Sequence, residues 1–240
     1  MKTAPQQRTF LTAEWKNLAM LNYVVDPDLL RPFVPAGTEL DQHEGRTFVS
    51  LIGFEFNKTR MLGHAIPFHQ SFEEVNLRFY VRRASRRGVV FIRELVPKIA
   101  VTVIARLAYG ERYSCVPMTH SIEQGPDTDG TKVEYAWGPD QRRCAISVAT
   151  RGPGYLPALG SLSEFITEHY WGYAMRGGGT VEYQVEHPQW PVRDATTARF
   201  SGDGAKYYGP EFGNVLTRMP DSAFFAEGSG VVVFQGLAID

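Results

Sequence analysis

Residues 71–98, SFEEVNLRFYVRRASRRGVVFIRELVPK, decide the fold because polar and apolar side chains alternate along them. From position 74 to position 82, charged, amide and phenol side chains occupy the even positions and apolar side chains occupy the odd ones. A period of two is typical of a strand with one buried face. Residues 88–96 predict a second strand, and residues 84–88 have the length and the glycine of a hairpin loop. The sequence therefore predicts an antiparallel pair of strands.

The predicted pairing collects polar side chains on one face of the hairpin. If the loop closes symmetrically, three residues of the first strand lie opposite three of the second: Asn76 with Glu94, Arg78 with Ile92, and Glu74 with Val96. Lys98 then projects diagonally towards Glu74. A lysine beside two carboxylates, an amide and an arginine costs free energy unless the cluster is used or exposed. This patch is the candidate site.

Length and composition predict a globular protein with one domain, residues 1–240. Hydrophobic residues make up 43% and charged residues 21% of the chain, close to the average for globular proteins. The formal net charge is -1, which offers no attraction to a phosphate backbone, so we expect no nucleic-acid partner. The arginines at positions 82, 83, 86 and 87 fall on the hairpin tip, where we expect them to be solvated.

The remaining composition points to a protein without a metal, a cofactor or a membrane partner. Cys115 and Cys144 have neither disulfide-framework nor zinc-ligand spacing, so buried free thiols in a reducing compartment are expected. The N-terminal residues lack an apolar signal core, and no run reaches the roughly 18 apolar residues of a membrane span. The glycines at 177–179 follow a predicted helix, so they do not form a phosphate-binding loop. We therefore expect a cytoplasmic protein.

The rest of the chain predicts more strands and one substantial helix. Strands are expected at residues 14–25, 48–56, 101–109, 113–120, 132–137, 142–150, 180–187, 223–226 and 230–235. The helix is expected to begin at a capping box, Ser161 to Glu164, and to carry Tyr170 and Tyr173 on an aromatic face. The middle of the chain reads as an antiparallel meander, so the predicted fold class is mainly β (α+β).

Two segments resemble acetoacetate decarboxylase and its superfamily. Residues 14–41 are similar to the family's N-terminal strand followed by an Asp-x-x-x-Leu-x-x-x-Val-Pro passage, and residues 93–98, RELVPK, resemble its Arg-Glu-Leu followed by Pro-Lys-Lys. A bacterial family of unknown function within that superfamily is more similar still, through residues 49–54, 72–78 and 187–190. The resemblance covers nearly the whole chain. It implies an antiparallel, closed or cone-shaped β barrel with a few peripheral helices.

Carried over residue by residue, the resemblance implies that Lys98 is the Schiff-base lysine and that Glu74 is the carboxylate near it. Other positions differ, because the family's second lysine is absent and its carboxylate-binding arginine corresponds to about Ala13. The second active-site glutamate of the family falls near positions 49 and 50, which are not acidic. The missing arginine argues against acetoacetate as the substrate, unless Arg78 or Arg93 binds the carboxylate instead.

The chemistry follows from what a lysine needs in order to attack a carbonyl group. The reference lysine pKa near 10.4 leaves roughly one molecule in a thousand neutral at pH 7. Burial in an apolar pocket lowers a lysine pKa, whereas an ionised carboxylate beside it raises it. If burial dominates, Lys98 would form an iminium with a ketone, aldehyde or keto acid. Glu74 or Glu94 would then carry the proton, Arg78 would orient an anionic group, and Asn76 would hold an oxygen.

Alternatives stay open for Lys98 and for the protein. Lys98 at a strand end could reach solvent paired with Glu94, or it could bind a ligand without reacting. His187 and Trp190 are expected at the mouth of the pocket, while the other histidines fit no metal motif. The leading hypothesis is an enzyme acting on a small carbonyl compound, and the alternative is a non-catalytic barrel binding a small apolar or anionic ligand. By analogy alone, the resemblance also implies a homo-oligomer.

Overall fold

The computed structural model describes residues 7–99, 102, 112–125 and 130–239. Its strands are β1 (Thr9–Val25), β2 (Glu39–Leu40), β3 (Thr47–Met61), β4 (His64–Ala65), β5 (Phe72–Arg83), β6 (Arg86–Val96), β7 (Tyr113–Cys115), β8 (Met118–Gln124), β9 (Gly130–Trp137), β10 (Cys144–Arg151), β11 (Trp171–Arg176), β12 (Gly179–Glu186), β13 (Val192–Ser201), β14 (Ser222–Phe234) and β15 (Leu237–Ile239). Its α-helices are α1 (Pro27–Leu30), α2 (Leu162–Thr167), α3 (Ala205–Tyr208) and α4 (Pro210–Leu216), and Arg31–Phe33 and Asp140–Arg142 are 3-10 turns. The predicted strand at 101–109 lies outside the described residues, apart from Thr102.

The strands join into one sheet with the order β15-β12-β11-β6-β5-β3-β1-β14-β13-β10-β9-β8, and β12 also pairs with β14. Its pairs are antiparallel except where β6 meets β11 and β7. The mainly β fold with short helices is thus confirmed, whereas the closed-barrel geometry stays a prediction. Among the described residues, no helix combines the length and the apolar composition that a bilayer crossing requires.

The β5–β6 hairpin forms as predicted, but its turn is tighter. Arg83 pairs directly with Arg86, which leaves a two-residue turn in which Ala84 adopts a φ of 53°. Gly88 therefore lies inside β6 instead of in the loop. A Cβ at Gly88 would lie 2.6 Å from the ring of Tyr173 on β11, so the glycine serves close strand packing and not the turn.

A β-bulge in β6 sets the faces of the hairpin. Asn76 lies opposite Glu94, as predicted, but Arg78 lies opposite Phe91 and not Ile92, because the register shifts between them. The extra residue on β6 reverses the side of every later side chain. Val89 and Phe91 line a cavity on one side of the bulge, and Glu94 lines the same cavity beyond it. Without the bulge, Glu94 would face the opposite side of the sheet.

The two sides of β5 lie in different environments. On one side of β5, which we call the sealed face, four residues belong to a core cluster that includes side chains of β9 and β10: Val75, Leu77, Phe79 and Val81. A Cβ on Gly53 of β3 would lie 2.6 Å from Tyr135, so this side has no room for another methyl group. On the other side of β5, which we call the cavity face, four residues line the cavity: Phe72, Glu74, Asn76 and Arg78.

The arginines at the hairpin tip are bound to other elements. Five ion pairs hold them: Arg82–Glu39 at 3.0 Å, Arg83–Glu182 at 3.7 Å, Arg86–Glu182 at 2.6 Å, Arg87–Asp41 at 2.9 Å and Arg87–Glu164 at 3.1 Å. The guanidinium carbon of Arg86 also lies 4.3 Å from the ring centroid of Trp171. Arg82 and Arg86 are exposed, as expected of a solvated tip, and the ion pairs to distant parts of the chain are an addition that the sequence did not predict.

The predicted helix from Ser161 is real but short. The Ser161 hydroxyl accepts a hydrogen bond from the Glu164 backbone N–H at 3.2 Å, as the capping box predicts. The helix ends at Thr167 because Glu168 leaves the helical region. Tyr173 then lies on β11, so the predicted aromatic helix face is wrong. Strand β13 was not expected from the sequence, and the two predicted C-terminal strands form one continuous strand, β14.

Candidate active site

A cavity of about 1100 Å³, counted with its open mouth, lies on the cavity face of β3, β5 and β6. The segment from Thr167 to Trp171 and the β12–β13 connection contribute further walls. Six of the eight residues that the sequence predicted for the site line this cavity: Glu74, Asn76, Arg78, Glu94, His187 and Trp190. The structure therefore brings most of the predicted residues to one place.

Glu74 is a carboxyl group held away from water. Its side chain accepts hydrogen bonds from Asn76 Nδ2 at 3.0 Å and from the Tyr113 hydroxyl at 3.1 Å. Burial raises the pKa of Glu74 to about 7, while those two hydrogen bonds and the charge of Arg78 oppose the rise. A carboxyl group with this pKa is present in both protonation states near neutral pH, so it can accept and return a proton.

Asn76 and Glu94 face each other across the β5–β6 ladder. Both are buried, and both line the cavity next to Glu74. The side-chain carbonyl Oδ1 of Asn76 has no hydrogen-bond partner among the described residues. A buried acceptor without a partner costs free energy, so Asn76 offers a place for a ligand donor.

Arg78 supplies a fixed positive charge to the cavity wall. Its Nη2 donates a hydrogen bond to the backbone carbonyl of Ile166 at 3.0 Å, and its guanidinium carbon lies 5.7 Å from the ring centroid of Tyr80. Its Nε is buried without a partner among the described residues. One part of the guanidinium is therefore anchored, and another part remains able to bind an anionic group.

His169 is a cavity residue that the sequence did not reveal. It reaches the cavity from the turn between α2 and β11, and its ring lies 4.7 Å from that of Tyr80. Burial and the charges of Arg78 and Arg87 lower the pKa of His169, and contact with the Ile166 backbone offsets part of this effect. Neither ring nitrogen makes a hydrogen bond of good geometry to a described residue. His169 is thus a neutral imidazole with one donor and one acceptor to offer.

His187 and Trp190 lie in the cavity wall, where the sequence placed them. Their rings stack with centroids 4.1 Å apart. The Trp190 indole donates to the Ser229 hydroxyl at 2.8 Å, which fixes the ring. Burial lowers the pKa of His187. Their roles in binding stay a prediction.

Aromatic rings continue from Trp190 along the wall of the cavity. We call this set the aromatic row, and its members are Phe72, Phe56, Phe54, Trp15, Trp190 and His187. Successive centroids are 4.7, 5.2, 5.4, 6.1 and 4.1 Å apart. The row begins two residues before Glu74 on β5, so it adjoins the polar patch.

Lys98 and Arg93 differ from the other predicted residues. Lys98 is half-buried, two residues beyond the end of β6, and it is not one of the described residues that line the cavity. Arg93 lies beside the bulge, and its Nη1 donates to the Ser114 hydroxyl at 3.3 Å. It too is missing from the described cavity wall. Of the two arginines predicted to bind a carboxylate, Arg78 is therefore the one that faces the cavity.

A bound metal is not indicated in the part of the chain that the structure describes. No three histidine, cysteine or acidic side chains come together there in a way that could hold an ion. His120 contacts Glu55 at 3.3 Å and Glu73 at 2.8 Å. These three residues join β8 to β3 and β5 as an ion-pair group when His120 is protonated.

The fold of this chain is similar to that of acetoacetate decarboxylase-like proteins of known structure. The enduracididine biosynthesis enzyme MppR, in its complex with pyruvate, superposes with a TM-score of 0.69 at 15% identity, covering 100% of this chain and 93% of that one. An acetoacetate decarboxylase from Legionella pneumophila gives a TM-score of 0.67 at 11% identity, covering 100% and 92%. Likeness at these identities shows the fold.

The family is shown by sequence. The model of DUF2071, described as an uncharacterized conserved protein, matches residues 12–230, so the chain belongs to that family. The uncharacterized protein YqjF of Bacillus subtilis (strain 168) is 23% identical over 185 residues, which is 75% of this chain and 74% of YqjF. The resemblance seen in residues 14–41 and 93–98 is confirmed.

Proposed function

We propose that this chain is an acetoacetate decarboxylase-like enzyme that binds a small keto acid or other carbonyl compound and moves a proton at the carbon next to its carbonyl group. The observation that carries the proposal is Glu74, a buried carboxyl group with a pKa of about 7 in the wall of a largely apolar cavity. Perturbed carboxyl groups in clefts are common at active sites. The binding of pyruvate by MppR supports a keto acid as the ligand class.

The proton transfer balances without any further reagent. The Glu74 carboxylate removes a proton from the carbon next to the carbonyl, and the electron pair moves to the carbonyl oxygen to give an enolate. Arg78 and neutral His169 stabilise the oxygen by donating hydrogen bonds. Protonated Glu74 then returns the proton to carbon, which restores the carboxylate.

A covalent form of the reaction adds Lys98 as the nucleophile. Its amine would add to the carbonyl carbon and lose water to give an iminium ion. If the bound acid is a 3-oxo acid such as acetoacetate and carbon dioxide leaves, its bonding electrons move into the iminium to give an enamine, which protonated Glu74 protonates at carbon, and water then releases the ketone and the amine. The similarity of residues 93–98 to the family pattern supports this step. It requires the amine to enter the cavity.

A non-catalytic ligand-binding protein is the competing function. The position of Lys98 outside the described cavity wall favours it, because imine chemistry then lacks a nucleophile beside the bound carbonyl. The same cavity would still bind an apolar or anionic molecule. The two functions differ in whether the protein catalyses proton exchange or forms an imine with the bound carbonyl compound.

Deuterium exchange tests the proposed proton transfer. We expect the protein to exchange the methyl protons of pyruvate in D₂O, followed by NMR, and Glu74→Gln to slow the exchange by about 10²- to 10⁴-fold. Glu73→Gln is the matched control, because Glu73 is the neighbouring carboxyl group on β5 and contacts His120 instead of the cavity. Equal effects of the two variants, or no exchange by the parent protein, would contradict the proposal.

Borohydride reduction tests the covalent form separately. The protein is incubated with pyruvate or acetoacetate and with borohydride, and its peptides are examined by mass spectrometry. An adduct on Lys98 that Lys98→Arg abolishes supports the imine. Proton exchange without an adduct would leave enolate chemistry at Glu74 and exclude Lys98 as the nucleophile for these acids. Binding without exchange or adduct would support the non-catalytic protein.

A further inference from the structure

The cavity face of β5 orders its side chains along a line. Phe72, Glu74, Asn76 and Arg78 follow one another at every second position, and all of them line the cavity. Residues two apart in a strand are separated by about 7 Å. The line therefore runs from an aromatic ring, through the proton carrier and an amide, to a cation.

This order matches the order of groups in one class of molecule. In a 2-oxo acid, the carboxylate is followed by the carbonyl carbon and then by the carbon that can lose a proton. A carboxylate bound by Arg78 directs the rest of the acid past Asn76, so that the carbon that can lose a proton lies towards Glu74. Any substituent on that carbon then extends towards Phe72.

The wall beyond Glu74 is built for such a substituent. The aromatic row starts at Phe72, and Phe54, Phe56 and Trp190 in it are all buried. On the sealed face, by contrast, the space at Gly53 is filled. An acid as short as pyruvate would leave the aromatic row in contact with water.

We infer that the ligand is a 2-oxo acid with an apolar or aryl tail longer than that of pyruvate, its carboxylate at Arg78 and its tail along the aromatic row. The unpartnered donors support this direction of binding, because Arg78 Nε and the donor nitrogen of the neutral His169 ring lie at the carboxylate end. The inference rests on the proposed function for the site, and it adds the substrate class and the direction of binding.

Calorimetric titration with a graded series tests the tail. The series is pyruvate, 2-oxobutanoate, 2-oxohexanoate and 4-phenyl-2-oxobutanoate. Burial of each methylene group should tighten the Kd by about threefold to fourfold, and the phenyl acid should bind at least about 30-fold more tightly than pyruvate. A flat series, a preference for pyruvate, or no binding by any member would overturn the inference.

A variant pair locates the tail on the molecule. Phe72→Ala should reduce the preference for the phenyl acid over pyruvate by about tenfold. Phe200→Ala on β13 is the control, since Phe200 packs near Trp137 and away from the cavity. Phe54→Leu replaces Phe72→Ala if thermal unfolding shows that the latter does not fold. An equal loss of preference in the cavity and control variants would also overturn the inference.

The outcomes separate this inference from the proposed enzyme function. A steep series without proton exchange would support the tail and contradict catalysis. Exchange on pyruvate with a flat series would support catalysis and contradict the tail.

Discussion

Leu77 and Arg78 are neighbours on β5, yet they lie in opposite environments. Leu77 is fully buried on the sealed face among side chains of β9 and β10. Arg78 lies on the cavity face with a hydrogen bond to Ile166 and an unpartnered Nε. The alternation of one strand thus divides the protein into a part that supplies stability and a part that holds unsatisfied polar groups for chemistry. The division is testable at adjacent residues.

The largest expected difference is between Leu51→Ala and Ile52→Ala on β3. Both side chains are buried, but Leu51 pairs with Leu77 on the sealed face, whereas Ile52 pairs with Asn76 and lines the cavity. Truncation in a close-packed core costs about 2–5 kcal/mol. We expect Leu51→Ala to lower the free energy of unfolding by about 4 kcal/mol. Ile52→Ala should lower it by about 1–2 kcal/mol, because its side chain already lacks packing atoms on one side.

Urea unfolding of both variants, compared at one pH, measures this difference. Equal losses would mean that the cavity face is packed as tightly as the sealed face. In that case the cavity would not offer the room that the proposed ligand needs.

A smaller effect is expected in the pH dependence of stability. The pKa of Glu74 is raised from 4.5 to about 7 in the folded protein, so the folded state keeps a proton that the unfolded state releases. The unfolded state therefore binds fewer protons between pH 4.5 and 7, and stability falls as the pH rises through that range. The full shift corresponds to about 3 kcal/mol. Ionised Glu74 is thus a functional group that weakens the fold.

Unfolding of Glu74→Gln at pH 5 and pH 8 checks this linkage. Relative to the parent protein, the variant should gain about 3 kcal/mol between the two pH values, because glutamine cannot ionise. Glu227→Gln, at a surface carboxyl group paired with Arg193, should show no such gain. If Glu74→Gln instead loses stability at pH 8, Glu74 is a structural ion-pair partner and the acid–base role is contradicted.

The sequence predicted the polar patch because alternation fixes faces, although two details of the hairpin differ. The turn is shorter than predicted, and a bulge adds one residue to β6. These differences cancel at Asn76 and Glu94, where the predicted pairing is correct. They do not cancel at Arg78, which lies opposite Phe91 instead of Ile92. Period-two alternation has no signal for an extra residue in the neighbouring strand.

Other parts of the site depend on contacts distant in the chain. His169 lies between a helix and a strand, where no periodic pattern assigns a face, so only the fold reveals it. The predicted helix past Thr167 failed for a related reason, since the aromatic residues at 170–173 suit either structure. A Cβ on Gly172 would lie 2.1 Å from the Tyr183 ring of the paired strand β12. Tight strand pairing there accounts for the glycine at this position.

The smallest expected effect is on ligand affinity, and it comes from a substitution at Arg78, the cation on the cavity face. Arg78→Lys keeps the charge but loses the planar fork, of which Nη2 is bound to Ile166 and Nε is free of partners among the described residues. We expect 2-oxo acids to bind about tenfold more weakly, or about 1.4 kcal/mol. Arg82→Lys, on the same strand and paired with Glu39 at the surface, should leave binding unchanged. Because Arg78 is proposed to contact the carboxylate and not the tail, the variant should weaken pyruvate and the phenyl acid by the same factor. A loss confined to the phenyl acid would place the carboxylate elsewhere and reverse the proposed direction of binding.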